Sequence, residues 1–300
     1  MSGALWALAA GAGFGLFQTV NRRTVDGMDV YFSTFVQLMV AAMVFVVASL
    51  ATADLHLLST APLISLIYFA IAGLFHFVAG WTFLNASQKR IGASRTSPLI
   101  GTNPLFATIL AAVTLSEIPS GLQLVGIIVI VLGAYFVSRE PDESMQVKDG
   151  RQSLSAIWQA SYLGLSAALC WAISPIFIRF GLQGLPSPLL GVTVGVSASA
   201  IGYGVILLWQ RERWHSVPIT REVWMFKLLA GFLVGLSTWM RWIALDLAPV
   251  AVVLALTMIS TPLVLLLSPI VSGRHLERVT VTLWVGAILI LGGALLLTFI

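Results

Sequence analysis

The four residues Thr-Asn-Pro-Leu at 102–105 recur in altered form as Ser-Thr-Pro-Leu at 260–263, 158 residues further along the chain. At the same offset, the stretch 81–86 (WTFLNA) aligns with 239–244 (WMRWIA), and the first apolar run aligns with its counterpart at an offset of 157. Each match is short, but together they keep their order and spacing across most of the chain. This pattern predicts an internal duplication into two similar halves.

The composition is that of a membrane protein. Of 300 residues, 58% are hydrophobic and only 9% are charged, whereas a soluble domain carries roughly 25% charged residues. A membrane-spanning helix needs about 20 mostly apolar residues, and the apolar runs predict ten such helices. The ten runs are 3–20, 30–50, 62–85, 96–115, 121–138, 160–178, 188–209, 225–245, 250–271 and 281–299. The longest polar stretch, 139–157, is predicted to be a linker between the halves 3–138 and 158–299.

Five spans in each half is an odd number, so two tandem copies must lie in the membrane with opposite orientations. The predicted fold class is therefore an all-α integral membrane protein, with ten transmembrane helices arranged as two inverted five-helix repeats. Inverted repeats of this kind are typical of secondary transporters.

Short motifs stand at corresponding places in both halves. They are Asn103-Pro104-Leu105, Leu115-Ser116-Glu117 and Gly126 to Gly133, and then Thr261-Pro262-Leu263, Leu276-Glu277-Arg278 and Gly286 to Gly293. On these motifs each half resembles the EamA module of the drug/metabolite transporter superfamily. The resemblance covers nearly the whole chain apart from the linker.

The resemblance implies a central cavity between the repeats and transport of amino acids, metabolites or drugs, usually as export. Aromatic amino acid exporters belong to this superfamily, as do exporters of other amino acids. The family motifs mark the fold and do not specify a substrate. Helices one and six line the cavity in this family, which makes Gln18 and Ser174 candidate hydrogen-bonding residues of a substrate site.

The distribution of Lys and Arg predicts the orientation. The loops after spans one, three, five, seven and nine hold thirteen of them: Arg22, Arg23, Lys89, Arg90, Arg95, Arg139, Lys148, Arg151, Arg211, Arg213, Arg221, Arg274 and Arg278. The opposite loops offer little beyond Arg179. The positive-inside rule places the rich side in the cytoplasm, so both termini are predicted to lie outside a bacterial inner membrane.

Several classes of function are disfavoured by what the spans lack. All twelve acidic residues lie at helix ends or in loops, whereas ion-coupled carriers commonly use a buried carboxylate. Uniport or exchange is therefore expected, with His76 as a possible proton carrier. We find no zinc motif and no ATP-binding loop, and no polar catalytic pair. The prediction is a carrier without cofactor, metal site or enzymatic activity.

Prolines indicate where two helices are interrupted. Pro98 and Pro104 fall in span four, and Pro262 and Pro269 in span nine. Proline removes a backbone hydrogen bond and kinks a helix, and matched interruptions in two repeats point to a transport site. Pro104 and Pro262 are the predicted breaks, and Thr102, Asn103, Ser260 and Thr261 beside them are candidate binding residues. The alternative is that the kinks only shape packing.

Arg241 and His76 are the most informative single residues within the spans. A guanidinium in a cavity would bind a carboxylate in a bidentate fork, whereas an arginine near a helix end can instead extend to the membrane interface. The counterpart of Arg241 in the first half is Phe83, so such a role would be asymmetric. His76 is either a packing residue or a hydrogen-bonding residue of the cavity.

Four tryptophans complete the candidate site: Trp81, Trp171, Trp239 and Trp242. Trp81 and Trp239 occupy equivalent positions of the repeat, which suggests a paired role such as stacking on an aromatic or apolar substrate. Packing between the halves is the alternative. The glycine pairs, seven residues apart, are interpreted as close helix packing, and Glu117 and Glu277 as helix caps.

The leading hypothesis is export of a small amphipathic metabolite, such as an amino acid, by alternating access without ATP. Uptake or metabolite exchange on the same fold is the alternative, since sequence does not give direction. A non-transporting scaffold would have a tightly packed centre. The expected partners are the substrate and the lipid bilayer, with no nucleic acid, and a monomer is the simplest expectation.

Overall fold

The computed structural model describes residues 2–52, 55–115, 120–138, 154–209, 219–272 and 278–296. These ranges are helical and contain no β-strand, which confirms the predicted all-α class. The helices are α1 Ser2–Val25, α2 Val30–Thr52, α3 His56–Thr60, α4 Leu63–Gly73, a π-helical segment Leu74–Gly80, α5 Trp81–Ile91, α6 Ala93–Ile100, α7 Asn103–Leu115, α8 Gly121–Ser138, α9 Leu154–Gly184, α10 Pro188–Trp209, α11 Arg221–Leu247, α12 Val250–Thr257, α13 Ser260–Val271 and α14 Val281–Leu296.

Most of these helices are long and apolar enough to cross a membrane. Within the described ranges seven segments meet that requirement, and two shorter apolar helices, which correspond to α8 and α14, accompany them. The segment α4–π–α5 is continuous over 29 residues, and α6 with α7 forms one interrupted segment. The protein is therefore a multi-pass, all-α membrane protein with a segment for each of the ten predicted runs.

Two predicted helix ends are wrong for the same reason. Helix α1 continues past residue 20 to Val25, and the third segment continues past residue 85 to Ile91. Both predicted runs stop at polar stretches, around Asn21 and Asn85, through which the helices continue. In the structure they bond to each other inside the bundle, with 2.7 Å between Asn21 Nδ2 and Asn85 Oδ1. A polar side chain that is hydrogen-bonded inside the bundle does not require the helix to end there.

The inverted arrangement is visible where α8 and α14 pack together. A Cβ on Gly133 would lie 2.7 Å from the carbonyl oxygen of Gly286, and one on Gly293 would lie 2.7 Å from that of Gly126. Since the higher-numbered residue of one helix meets the lower-numbered residue of the other, the two helices run antiparallel. They are equivalent helices of the two halves, and their glycines permit the close packing that the sequence predicted.

Helices of each half also pack on helices of the other half, and these contacts are reciprocal. Helix α1 packs on α11 of the second half, and α9 packs on the segment α4–π–α5 of the first half. In the same manner α2 packs on α11, and α10 packs on α4. The third helical segment of each half is therefore enclosed by helices of the other half.

These two enclosed segments differ in their backbone. Helix α11 is α-helical over all 27 residues, whereas its counterpart contains the π-helical segment Leu74–Gly80. Glycines flank the segment: a Cβ at Gly73 would collide with the carbonyl oxygen of Gly195, and one at Gly80 with the indole of Trp171. A π-helical turn within an α-helix is rare and is frequent at functional sites.

Some predictions concern residues outside the described ranges. These are most of the linker 139–157, the predicted caps Glu117 and Glu277, and the basic residues Arg139, Lys148, Arg151, Arg211, Arg213 and Arg274.

Candidate functional site

His76 lies in the π-helical segment, in a group of side chains from both halves. Its Nδ1 lies 3.2 Å from Ser174 Oγ, and its ring stacks on Trp171 with 5.7 Å between the ring centroids. The indole Nε1 of Trp171 donates to the carbonyl oxygen of His76 at 3.1 Å. The other ring nitrogen of His76, Nε2, is buried and has no hydrogen-bond partner within the described ranges. The imidazole therefore presents one unused polar atom to this group.

Arg241 approaches the same group from α11. Its Nη2 donates to the carbonyl oxygen of Trp171 at 3.3 Å, and the side chain is only 3% exposed, so the guanidinium does not reach the outside of the bundle. In the part of the chain that the structure describes, no carboxylate lies within ion-pair distance of it. A guanidinium has five N–H donors, and buried charges are normally paired. Arg241 is a buried cation with most of its donors unused.

The tryptophans differ in their surroundings. Trp81 is fully buried, edge-on to Phe77 with 4.9 Å between centroids, and Trp242 stacks on Phe69 at 5.7 Å. The Nε1 atoms of Trp81 and Trp242 are buried without a partner in the described residues. Trp239 is half-buried and packs against the main apolar cluster. The equivalent positions 81 and 239 therefore have different environments in the two halves.

The interruptions in the fourth and ninth segments lie next to the predicted prolines. Helix α7 begins at Asn103 and α13 at Ser260, so Pro104 and Pro262 stand in the first turn of each. Proline is tolerated there because the first N–H groups of a helix have no partner within it. Pro98 and Pro269 lie inside α6 and α13, which continue past them.

The two interruptions lie against each other. A Cβ on Gly101 would be 3.4 Å from Sδ of Met258, and Thr261 Oγ1 donates across the junction to the carbonyl oxygen of Ser97 at 3.5 Å. Thr102 Oγ1 bonds back to Leu99 O at 2.7 Å.

The candidate residues of this junction, Thr102, Asn103, Ser260 and Thr261, are all buried. Oδ1 of Asn103 has no partner in the described part of the chain. Ile100, which precedes the first interruption, belongs to the same apolar cluster as Trp171. That cluster links the junction to the group around Arg241.

Gln18 lies on α1 next to a second polar group. Its carbonyl oxygen accepts from Gln88 Nε2 at 3.4 Å, while its own Oε1 is buried and unpaired within the described ranges.

The centre of this second group is Lys227, which the sequence analysis did not single out. Its side chain is fully buried, and Nζ donates to Asn21 Oδ1 at 2.7 Å and to Gln37 Oε1 at 3.0 Å. The sequence did contain a signal, because Lys227 is the third residue of the predicted span 225–245 and is absent from both sides of the charge count. Its amide partners could not be found in this way, since they are distant in sequence.

We call Lys227, Asn21, Gln37, Asn85 and Gln88 the lysine cage. Asn21 Nδ2 donates to Asn85 Oδ1 and to Gln88 Oε1, each at 2.7 Å. The cage lies where α1 and α5 end and where α2 and α11 begin. Arg22, Arg23, Lys89 and Arg221 stand at the same ends, so we call this the arginine-rich side of the bundle.

Inverted repeats, matched helix interruptions and buried polar side chains define the class of multi-pass membrane transport proteins. The model of the EamA-like transporter family matches residues 1–139 and 158–299. The chain belongs to the EamA-like transporter family. The family indicates membrane transport of small molecules, and its members are generally not enzymes.

A solved structure described only as "Crystal structure of protein" has the same fold. It superposes with a TM-score of 0.66 at 16% sequence identity, over 97% of this chain and 96% of that chain. At this identity the likeness concerns the fold alone. A search of curated proteins finds no significant match.

Proposed function

We propose that the protein exports a small amphipathic metabolite that carries a carboxylate, such as an amino acid, across a bacterial inner membrane. Transport proceeds by alternating access, without ATP, and within a single chain. The observation that carries this proposal is Arg241, a buried guanidinium with one backbone hydrogen bond and no carboxylate partner in the described residues.

An anionic substrate group would supply what Arg241 lacks. A carboxylate can accept two parallel N–H bonds from a guanidinium, which gives both attraction and orientation. Trp171, whose carbonyl oxygen Arg241 contacts, stacks on His76 on one side and lies 6.4 Å from Phe14, centroid to centroid. An apolar or aromatic substrate side chain would pack against these rings. His76 Nε2 would bond to a second polar group of the substrate.

The interrupted helices support alternating access. Half-helices whose ends meet in the middle of a bundle can change their relative angle without unwinding a whole span. Both interruptions, at Gly101 and Met258, lie in contact with each other. A change at one interruption is therefore expected to change the other, which couples the two halves during transport.

The basic residues predict how the site is oriented in the membrane. Arg23 pairs with Glu222 at 3.1 Å, which joins the end of α1 to the start of α11 on the arginine-rich side. The positive-inside rule assigns that side to the cytoplasm. Arg241 lies near the opposite end of α11, so the carboxylate site is closer to the external face.

Counterflow in proteoliposomes tests the proposal. Proteoliposomes that contain the purified protein are loaded with an unlabelled compound. Exchange of labelled amino acids, other carboxylates, amines and neutral analogues is then measured with equal pH on both sides of the membrane. We expect saturable exchange of carboxylates only. Arg241→Gln should weaken the apparent affinity roughly 10- to 100-fold, since hydrogen bonds to charged groups contribute about 1.5–3 kcal/mol.

Arg90→Gln is the matched control, because Arg90 is exposed at the end of α5. Equal substrate affinity in the Arg241→Gln and Arg90→Gln proteins would contradict the role of Arg241 as the carboxylate-binding residue. Exchange of amines or neutral compounds in preference to carboxylates would contradict a carboxylate as the substrate class. Flux measured with the substrate gradient reversed would distinguish an exporter from an uptake carrier or a metabolite exchanger on the same fold.

A further inference from the structure

The lysine cage joins the two halves on the arginine-rich side of the bundle. Lys227 belongs to α11 of the second half, whereas its acceptors Asn21 and Gln37 belong to α1 and α2 of the first half. Asn85 and Gln88 of α5 complete the layer, and all five residues are 0% exposed. Because the cage is fully buried, the helices are in contact at this level, and the layer separates the arginine-rich side from the interior of the bundle.

The cage stands between that side and the candidate substrate group. Lys227 and Arg241 lie on the same side of α11, and Lys227 is the one nearer to the arginine-rich end. Thr238, eleven residues beyond Lys227, lies on the face of Lys227 as well, because eleven residues make about three turns of an α-helix. A solute that approaches Arg241 along this face from the arginine-rich side therefore has to pass Lys227.

The partners of Lys227 allow this layer to open as well as to close. Nζ donates to two amide oxygens, at 2.7 and 3.0 Å, and no carboxylate lies within ion-pair distance of it among the described residues. Removing an ammonium group from water is costly, and neutral amides offset that cost less well than a carboxylate does. When the helices separate, water replaces the amide oxygens as acceptor. We therefore expect the open and closed states to be close in free energy, as a gate requires.

A second contact joins the same helices closer to the surface. Arg23 of α1 pairs with Glu222 of α11 at 3.1 Å, and the guanidinium carbon of Arg23 lies 4.6 Å from the centre of the Phe226 ring. The side chains of Arg23 and Glu222 are 37% and 63% exposed, and exposed ion pairs contribute little to stability. The buried layer, rather than this surface pair, is therefore expected to decide whether the arginine-rich side is open.

We propose that the lysine cage is the gate on the arginine-rich side of the carrier, and that the bonds from Lys227 to Asn21 and Gln37 set how often this gate opens. Opening separates α11 from α1 and α2 at the level of Lys227, and the ammonium group then bonds to water. Closing restores the two amide bonds and returns Lys227 to the interior. As a step of alternating access, the gate rests on the carrier function proposed above.

Cysteine labelling tests the gate without any substrate. In a Cys170→Ala background, Thr238→Cys places a thiol beyond the cage, at a position that is fully buried in this structure. A membrane-impermeant maleimide is added to right-side-out and to inverted membrane vesicles. Arg90→Cys, exposed at the end of α5, identifies the vesicles in which the reagent meets the arginine-rich side. In those vesicles the labelling rate of Thr238→Cys reports how often the gate opens.

Two substitutions of Gln37 should change this labelling rate in opposite directions. Gln37→Met removes one acceptor of a buried ammonium group and so destabilises the closed state, which should make labelling at least about tenfold faster. Gln37→Glu supplies a carboxylate to Nζ and so stabilises the closed state, which should make labelling about fivefold slower. Glu222→Gln is the control, because it breaks only the surface pair and should change the rate by less than about twofold.

The effect of the carboxylate should depend on the charge of Lys227. In a Lys227→Met background, Gln37→Glu buries a carboxylate without a cation, so it should speed labelling instead of slowing it. This reversal tests the gate even if Gln37→Met does not fold. The same effect of Gln37→Glu with and without Lys227 would overturn the gate, as would equal rates for the two Gln37 variants or an equally large effect of Glu222→Gln. The expected pattern in a protein that exchanges no carboxylate would support the gate and overturn only the proposed function.

Discussion

Helix α11 carries two buried cations, and they differ in how their charge is satisfied. Lys227, near the arginine-rich end, bonds to two amide oxygens at 2.7 and 3.0 Å. Arg241, fourteen residues further along and thus about 21 Å away at 1.5 Å per residue, has a single backbone contact at 3.3 Å. Fourteen residues are close to four turns, so both face the same side of the helix. The comparison teaches that a buried cation with hydrogen-bond acceptors from other helices holds those helices together, whereas a buried cation without such acceptors is available to bind an anionic ligand.

The largest effect is expected from removing a partner of the satisfied cation. Asn21→Leu deletes three hydrogen bonds of the cage and leaves Lys227 with one acceptor. We expect a loss of about 3 kcal/mol or more in the free energy of unfolding, because buried groups left unpaired cost about 1–3 kcal/mol each. Thermal unfolding of the purified protein in detergent measures it.

Gln18→Leu is the control for this prediction. Gln18 lies on the same helix, and its buried side-chain oxygen has no partner within the described ranges, so its replacement leaves no acceptor of the cage unpaired and should cost clearly less than Asn21→Leu. Equal losses in the two variants would contradict the distinction between a cage amide and an unpaired one.

The second effect should have the opposite sign. Arg241→Leu replaces a buried cation that has no counter-ion in the described residues, and it thereby removes a desolvation cost of several kcal/mol. We expect unfolding at a higher temperature together with loss of carboxylate exchange. A large destabilisation would mean that Arg241 is structural, in which case the two cations of α11 would not differ in role.

A smaller effect is expected from giving Lys227 a carboxylate. Gln37→Glu retains the oxygen that accepts from Nζ and replaces Nε2, which has no partner in the described residues. The cage should become more stable by about 1 kcal/mol. Exchange should slow roughly fivefold, because the closed state gains that energy. Initial rates of counterflow measure the change, and faster exchange would contradict a closed state that the lysine cage holds together.

The smallest effect concerns the neighbour of His76. Ser174→Ala removes the hydroxyl 3.2 Å from Nδ1 and should lower the apparent substrate affinity about threefold, as one neutral hydrogen bond contributes about 0.5–1.5 kcal/mol. Ser199→Ala is a suitable control, since within the described ranges the Ser199 hydroxyl bonds to the carbonyl oxygen of Gly195 in its own helix, at 2.7 Å, and to no other group. The apparent substrate affinity of the Ser199→Ala protein should match that of the wild type.

Sequence reasoning reached the fold because the fold depends on features with a fixed period. The recurrence of 81–86 and 102–105 and the apolar runs sufficed for the all-α membrane class and for the family. The division at 139–157 stays a prediction. The predicted ends of α1 and α5 fall short of Val25 and Ile91, because the helices continue through polar stretches and sequence does not show that Asn21 and Asn85 bond to each other.

Only part of the candidate site could be predicted from the sequence. Arg241 and His76 stood out as polar residues inside apolar runs, but the 3.2 Å approach of His76 to Ser174 spans 98 residues and has no local signal. The π-helical segment likewise depends on packing at Gly80 against Trp171, a residue of the other half. Lys227 was missed because the charge count considered loops, and it lies only two residues inside a predicted span.

The glycine contact between α8 and α14 has a consequence for assembly. Gly126 meets Gly293 and Gly133 meets Gly286, so each helix presents the same surface to the other, as the subunits of a twofold-symmetric homodimer do. Such a surface is self-complementary, and it does not need a covalent connection between its two copies. We therefore expect a five-helix half produced alone to offer this surface to a second, identical half in the opposite orientation.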